Sequence, residues 1–147
     1  MTVHLIKLCV GIETPRELAE WQTERLKHLA KAGKTPELRH RTRQTPRRSA
    51  ELLDGGSLYW VIKGFVLVRQ RILDLRADVK DDGTRCCGIV FDTALVLTRP
   101  QPRRAFQGWR YLEVADAPPD ATGLSDEADE MPRGMREELR ELRLIDW

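Results

Sequence analysis

The chain has 147 residues, 41% hydrophobic and 33% charged, with a formal net charge of +2, a balance that excludes a disordered chain and suits one packed domain over residues 1–147 rather than two. The longest apolar stretch, Ser57 to Leu75, is interrupted by Lys63, Arg69, Gln70, Arg71 and Asp74, so it cannot supply the ~20 uncharged residues of a membrane-spanning helix. The charge is uneven: residues 1–80 carry 16 Lys and Arg against 9 Asp and Glu, a net +7, and residues 81–147 carry 9 against 14, a net −5.

In chain order, Val3 to Val10 reads as a short apolar strand, and MTVHLIKLCVGIETP has neither a basic leader nor a small-residue cleavage site. The expectation is a first strand, not a signal peptide, and a cytoplasmic location. Thr14, Pro15 and Glu17 supply an N-cap, a first-turn proline and a capping-box glutamate. The helix they start carries Leu18, Trp21, Leu26, Leu29 and Ala30 at helical spacing, with Trp21 as a core anchor, and closes at Gly33. From Lys34 to Arg48, six basic residues and His40 face only Glu37. This basic connector suits anion docking, because the planar arginine fork matches phosphate and carboxylate; its bland alternative is a solvated linker. Thr45-Pro46 then starts a second, shorter helix that Asp54-Gly55-Gly56 ends.

Extended segments follow at Leu58 to Lys63, Phe65 to Leu75, Gly88 to Thr98 and Trp109 to Val114. Gly64 marks a bulge or a close approach, and Asp81-Asp82-Gly83 a hairpin loop. Residues 115–134 form an acidic, Pro- and Gly-rich loop, and MREELRELRLIDW a closing helix whose Trp147 anchors the tail. This order predicts an α+β fold: a small mixed or antiparallel β-barrel with two N-terminal helices and one C-terminal helix.

Metal and thiol chemistry find no support. Cys9, Cys86 and Cys87 lack C-x-x-C spacing and read as buried thiols, and His4, His28 and His40 share no ligand pattern. Neither a metal nor a cofactor is expected. Basic and aromatic residues do interleave: Tyr59, Trp60, Phe106 and Trp109 offer faces on which a base can stack, and Lys63, Arg69, Arg71 and Arg110 can neutralise phosphate. Arg41, Arg43, Arg47 and Arg48 of the connector are further phosphate-binding candidates. Each aromatic is as readily core, and paired arginines on an exterior face are commoner than ligand-binding ones. Arg69 and Arg71, two apart in a strand, share a face, either toward a ligand or paired with acids such as Asp74 or Asp92.

Three segments, HLIKLCVGIETPRELAEWQ, SLYWVIKGFVLVRQRILDL and CGIVFDTALVLTRPQPRRAFQGWRYL, resemble a bacterial, mainly alphaproteobacterial, family catalogued as a domain of unknown function. That resemblance spans nearly the whole chain. The YW, IKG and RQR elements, the GIVF strand and the GWRY segment also resemble the PUA-like superfamily, which includes the ASCH, EVE and YTH domains. This second likeness implies a small β-barrel that binds RNA or modified bases. ASCH domains carry G-x-K-x-x-E-x-R; here Gly64 and Arg71 match, while Val66 and Arg69 stand where the lysine and glutamate would be. The missing carboxylate removes the acid–base group an enzymatic member needs.

The preferred reading is a binding module for RNA or a modified nucleotide, in which the connector, the Arg69/Arg71 face and the aromatics converge on one surface. An enzyme acting on a nucleotide-like or small anionic substrate would instead need Asp74, Asp92 or Cys87 in the pocket. A protein-interaction adaptor would expose an apolar patch around Trp147 or the last helix. The opposed charge of the two halves adds the expectation that the acidic loop folds over the basic region.

Overall fold

A fifteen-residue strand organises the sheet. In the computed structural model, which describes residues 1–121, β4 (Phe65–Val79) takes partners along both edges. Its first half pairs antiparallel with β3 (Ser57–Ile62) across the Lys63-Gly64 turn, where both residues have positive φ, 50° and 82°. This is the geometry of a tight two-residue hairpin turn, so Gly64 serves the turn and not a bulge. Its other edge is covered by β5 (Arg85–Phe91) and then β6 (Val96–Pro102), laid end to end. The expected strand over Gly88 to Thr98 is thus two strands, broken where the chain leaves β4 at Asp92.

Two further strands extend the sheet beside β3. β1 (Val3–Leu8) lies parallel to β3, and β7 (Trp109–Glu113) antiparallel to β1. At the opposite end β2 (Leu38–Thr42) pairs with β5, giving the order β2-β5-β4-β3-β1-β7, with β6 beside β4. The fold is α+β, but the expected closed barrel is not formed, because no ladder joins β2 to β7. The seam between these two strands stays open and is bridged by side chains. β2 was hidden in the basic connector: Leu38 and Thr42 are buried while Arg39 and Arg41 point out, a period-2 pattern too short and too charged to read as a strand.

Helix α1 (Pro15–Lys31) begins as expected. The Thr14 hydroxyl accepts from the Glu17 N–H at 3.1 Å, and the Glu17 carboxylate accepts from the Glu13 N–H. It ends in a Schellman pair, Gly33 N–H to Ala30 and Lys34 N–H to Leu29. Its buried face is Pro15, Leu18 and Gln22, whereas Trp21 is 57% exposed. The expected aromatic anchor is therefore wrong, and its place in the packing belongs to an amide. Helix α2 (Ser49–Leu53) buries Leu52 under Gly56, where a Cβ would lie 2.4 Å from the carbonyl oxygens of Leu52 and Val3.

Gln22 meets Gln70, which is fully buried on the core side of β4. The two amides exchange bonds of 2.9 and 2.8 Å, the Trp60 Nε1–H donates to the same Gln70 oxygen at 2.9 Å, and Gln70 Nε2 donates to the Asp92 carbonyl at 2.9 Å. The polar groups of the long apolar run thus do not share one face. Around the network pack Val3, Leu5, Leu58, Ile62, Leu67, Ile72, Ile89 and Phe91. A smaller cluster of Ile6, Tyr59, Val61, Val66 and Leu112 lies on the other face of the sheet. A β-bulge at Leu67 puts Leu67 and Val68 on the core side and turns Arg69 to the opposite face. The C-terminal helix, Trp147 and the acidic loop beyond Ala121 lie outside the described residues. No described helix is long and apolar enough to cross a membrane.

Replacing Gln70 with Leu would strand the Gln22 amide and the Trp60 N–H in an apolar core, at about 1–3 kcal/mol per unsatisfied group. Urea unfolding should show a loss of about 3 kcal/mol, and Gln22→Leu added to Gln70→Leu should recover part of it. Gly56→Ala should also destabilise strongly, since the obstacle to its Cβ is backbone.

Candidate anion-binding cleft at the open seam

The charged residues at the seam are sorted by depth. Lys7 sits on β1 with Trp60 as its register partner in β3 and Trp109 in β7, so one row across three strands reads Trp60, Lys7, Trp109. Its side chain opens into a cleft of about 420 Å³ between the end of β2 and the start of β7, lined also by Arg41, Arg43, Gln44, Trp109 and Arg110. None of the described residues lining the cleft is acidic. Lys7 is half-buried and makes no ion pair or side-chain hydrogen bond among the described residues. Burial pushes its ammonium pKa down, which is the mark of a cation short of a counter-charge.

Side chains staple the seam beside this lysine. Trp109 Nε1–H donates to the Gln44 carbonyl at 3.3 Å and packs edge-on against Tyr111 at 4.9 Å. The Tyr111 hydroxyl accepts from the Arg48 N–H at 3.1 Å, and the Arg48 guanidinium lies 5.2 Å above the Tyr111 ring. Glu51 and Glu113 clamp that guanidinium at 2.6 and 2.7 Å. Arg48, expected to bind phosphate, is committed to tying α2 and β7 together.

On the outer face of β2, Arg39 and Arg41 share one oxygen of Asp78 at 3.2 and 3.3 Å, and Arg41 also reaches Asp81 at 3.4 Å. Gly88 makes room for this, because a Cβ there would lie 2.9 Å from the Arg39 side chain. A second cleft of about 470 Å³, lined by Arg25, Lys34, Glu37, Arg39 and His40, shares Arg41 with the first. His40 contacts the edge of Trp60 with ring centroids 5.9 Å apart, and burial, aided by the Lys7 charge, pulls its pKa down to about 4. Burial pushes the Cys9 thiol up to about 12, so it is no nucleophile at neutral pH.

The structure divides the expected site residues among several places. Arg41, Arg43 and Trp109 come together at the seam, while Arg110 touches its rim with its guanidinium over Phe106. Trp60 is 5% exposed and faces the core beside them, whereas its neighbour Tyr59 faces the other side of the sheet. Arg69 lies on Tyr59's side, held by Asp120, and the exposed Arg71 makes no ion pair or side-chain hydrogen bond among the described residues. Lys63 is at the far β3–β4 turn with Glu13 at 3.7 Å, and Arg47 is exposed. Phe106 is half-buried against the smaller cluster with Arg110 5.5 Å over its ring. The single surface expected of connector, Arg69/Arg71 face and aromatics is not formed. Asp74 and Asp92 line a separate cleft beside Arg76, and Cys87 is 1% exposed in the core. Among the described residues no group of His, Cys, Asp and Glu is placed to hold a metal ion. Lys7 was not singled out from the sequence; its one signal is a lysine inside the largely apolar VHLIKL.

The profile of a family described as "Protein of unknown function (DUF1489)" matches residues 5–145. The chain belongs to this family. No curated protein and no solved structure matches it. Every residue of the DUF1489 seam described above falls within the matched span.

The folded protein holds His40 neutral down to about pH 4, while the unfolded chain protonates it near its ordinary 6.5. The unfolded state then binds the extra proton, so stability should fall as pH drops from 6.5 to 4, by up to about 3 kcal/mol. Unfolding free energies across that range should show the loss, and His40→Gln should remove most of it, leaving the smaller share of His4, whose pKa burial also lowers.

Proposed function

We propose that the chain is a binding module for single-stranded nucleic acid or a nucleotide, RNA preferred, acting at the β2–β7 seam. The observation that carries this reading is Lys7: a half-buried ammonium in a cleft whose described lining residues include Arg43 and the Asp78-paired Arg41 but no acid. A partly desolvated cation without a counter-charge is stabilised by a ligand anion more than an exposed one is, because water screens it less. Trp109, on the same wall, offers an aromatic surface for a base beside the phosphate-binding groups, a combination of stacking and charge typical of single-strand binding. Arg41 belongs to both clefts, so a ligand longer than one nucleotide could pass across β2. This reading agrees with what the PUA-like resemblance implies about ligand class, and with it we propose a cytoplasmic location.

The test is fluorescence anisotropy with short single-stranded RNA over a salt series. For single strands the logarithm of the binding constant falls with the logarithm of salt with a slope near 0.7 per phosphate neutralised. Lys7→Ala/Arg43→Ala should weaken binding at low salt and flatten that slope by about 1.4. Arg71→Ala, on the other side of the sheet, should change neither. Absence of binding at low salt would remove the proposal.

A further inference from the structure

We propose that the cleft on the opposite face of the sheet is a second ligand site, independent of the seam, and that it takes a small neutral cyclic amide or imide. The cleft, about 350 Å³, is lined by His4, Tyr59, Arg69 and Asp120 and walled by Pro118 and Pro119. That volume lies at the small end of ligand pockets, suited to a single ring.

Its hydrogen-bonding character follows from the contacts. His4 Nδ1 accepts from the Ser57 N–H at 2.9 Å, which leaves the proton of the neutral ring on Nε2. Burial and the nearby Arg69 charge both hold His4 in that neutral form. Tyr59, edge-on to His4 with ring centroids 5.0 Å apart, keeps its hydroxyl proton because burial raises its pKa. Both residues are at least nine-tenths buried, but their polar tips are not sealed off: His4 Nε2 and the Tyr59 hydroxyl open to the cleft without a bond to another described residue. The cleft therefore presents two unused donors.

The acceptor is fixed beside them. Arg69 Nε and Nη2 each donate to Asp120 at 2.7 Å, and Nη1 donates to the Ser57 hydroxyl at 3.1 Å. Asp120 is placed by backbone as well: Arg99 N–H to Pro119 and Ala121 N–H to Leu97, both 2.9 Å, lay residues 119–121 along the edge of β6. Its carboxylate, ionised by Arg69, retains lone pairs for a further donor. Because Asp120 already neutralises Arg69, the site has no net charge to offer an anion. Two donors, one acceptor and proline walls match a ring that carries a carbonyl next to an N–H.

Uracil, 1,3-dimethyluracil and benzoate are the probes, read by amide chemical shifts on the whole chain. Uracil should give saturable shifts at Ser57, Tyr59 and Asp120 with Gln44 and Trp109 unmoved. Dimethyluracil, which lacks the N–H, and benzoate, an anion, should bind more weakly by about fivefold or more, and Tyr59→Phe should weaken uracil by a similar factor. Equal binding of uracil and dimethyluracil, tighter binding of benzoate, shifts confined to the seam, or no uracil shifts would each overturn the proposal. The uracil and dimethyluracil comparison needs only the native chain, so it stands even if Tyr59→Phe fails to fold. Failure here leaves the RNA reading untouched, since that rests on Lys7 and the opposite face.

Discussion

The side-chain amide of Gln70 holds the architecture together. It is fully buried, and a polar group there is tolerable only if every lone pair and proton is used. Its oxygen accepts from Gln22 of α1 and Trp60 of β3, and its nitrogen donates to Gln22 and to the Asp92 carbonyl just after β5. Helix, sheet and strand break are thereby set relative to one another by directional bonds, which an apolar contact of equal size would not do. Trp60 in turn contacts His40 of β2 and is the register partner of Lys7. The position of the seam lysine is in this way inherited from the core network.

The seam itself solves a charge problem by layers. Around its rim the cations are already matched: Arg39 and Arg41 by Asp78, Arg48 by Glu51 and Glu113. Such exposed pairs add little stability each, but they hold β2 and β7 in place without consuming the deeper charge. Lys7, Arg43 and the Trp109 wall are left unmatched at the centre. The sheet leaves its edges open beside this unmatched charge. The cleft on the other face is organised differently, with Arg69 closed off by Asp120 and the neutral donors of His4 and Tyr59 left toward the cleft.

Much of this was legible in the residues. The Thr14-Pro15-Glu17 cap, the Gly33 stop and the Asp81-Asp82-Gly83 hairpin encode their structures locally, and the strands from Ser57 onward carry long β-branched runs. What escaped depends on tertiary contact. Gln22 and Gln70, 48 residues apart, look like surface amides until they meet, and Trp21 loses its expected place to one of them. β2 hides behind its arginines, because two inward residues suffice for a strand when β5 supplies the ladder. Of the site, Arg41, Arg43, Trp109 and Arg110 could be singled out as basic or aromatic, but a period of two separates Tyr59 from Trp60 and cannot say which faces a ligand. Lys7 could not be recognised as part of the site before β7 and β2 were seen to meet above it.

The most direct test of the account is to map where RNA touches the protein. Single-stranded RNA carrying 5-bromouridine, photocrosslinked at low salt and analysed by peptide mass spectrometry, should attach within the Gln107–Tyr111 and Arg41–Gln44 peptides, with Trp109 the main site. Crosslinks concentrated around Arg71 or Lys63 instead, with the seam peptides unmodified, would contradict it.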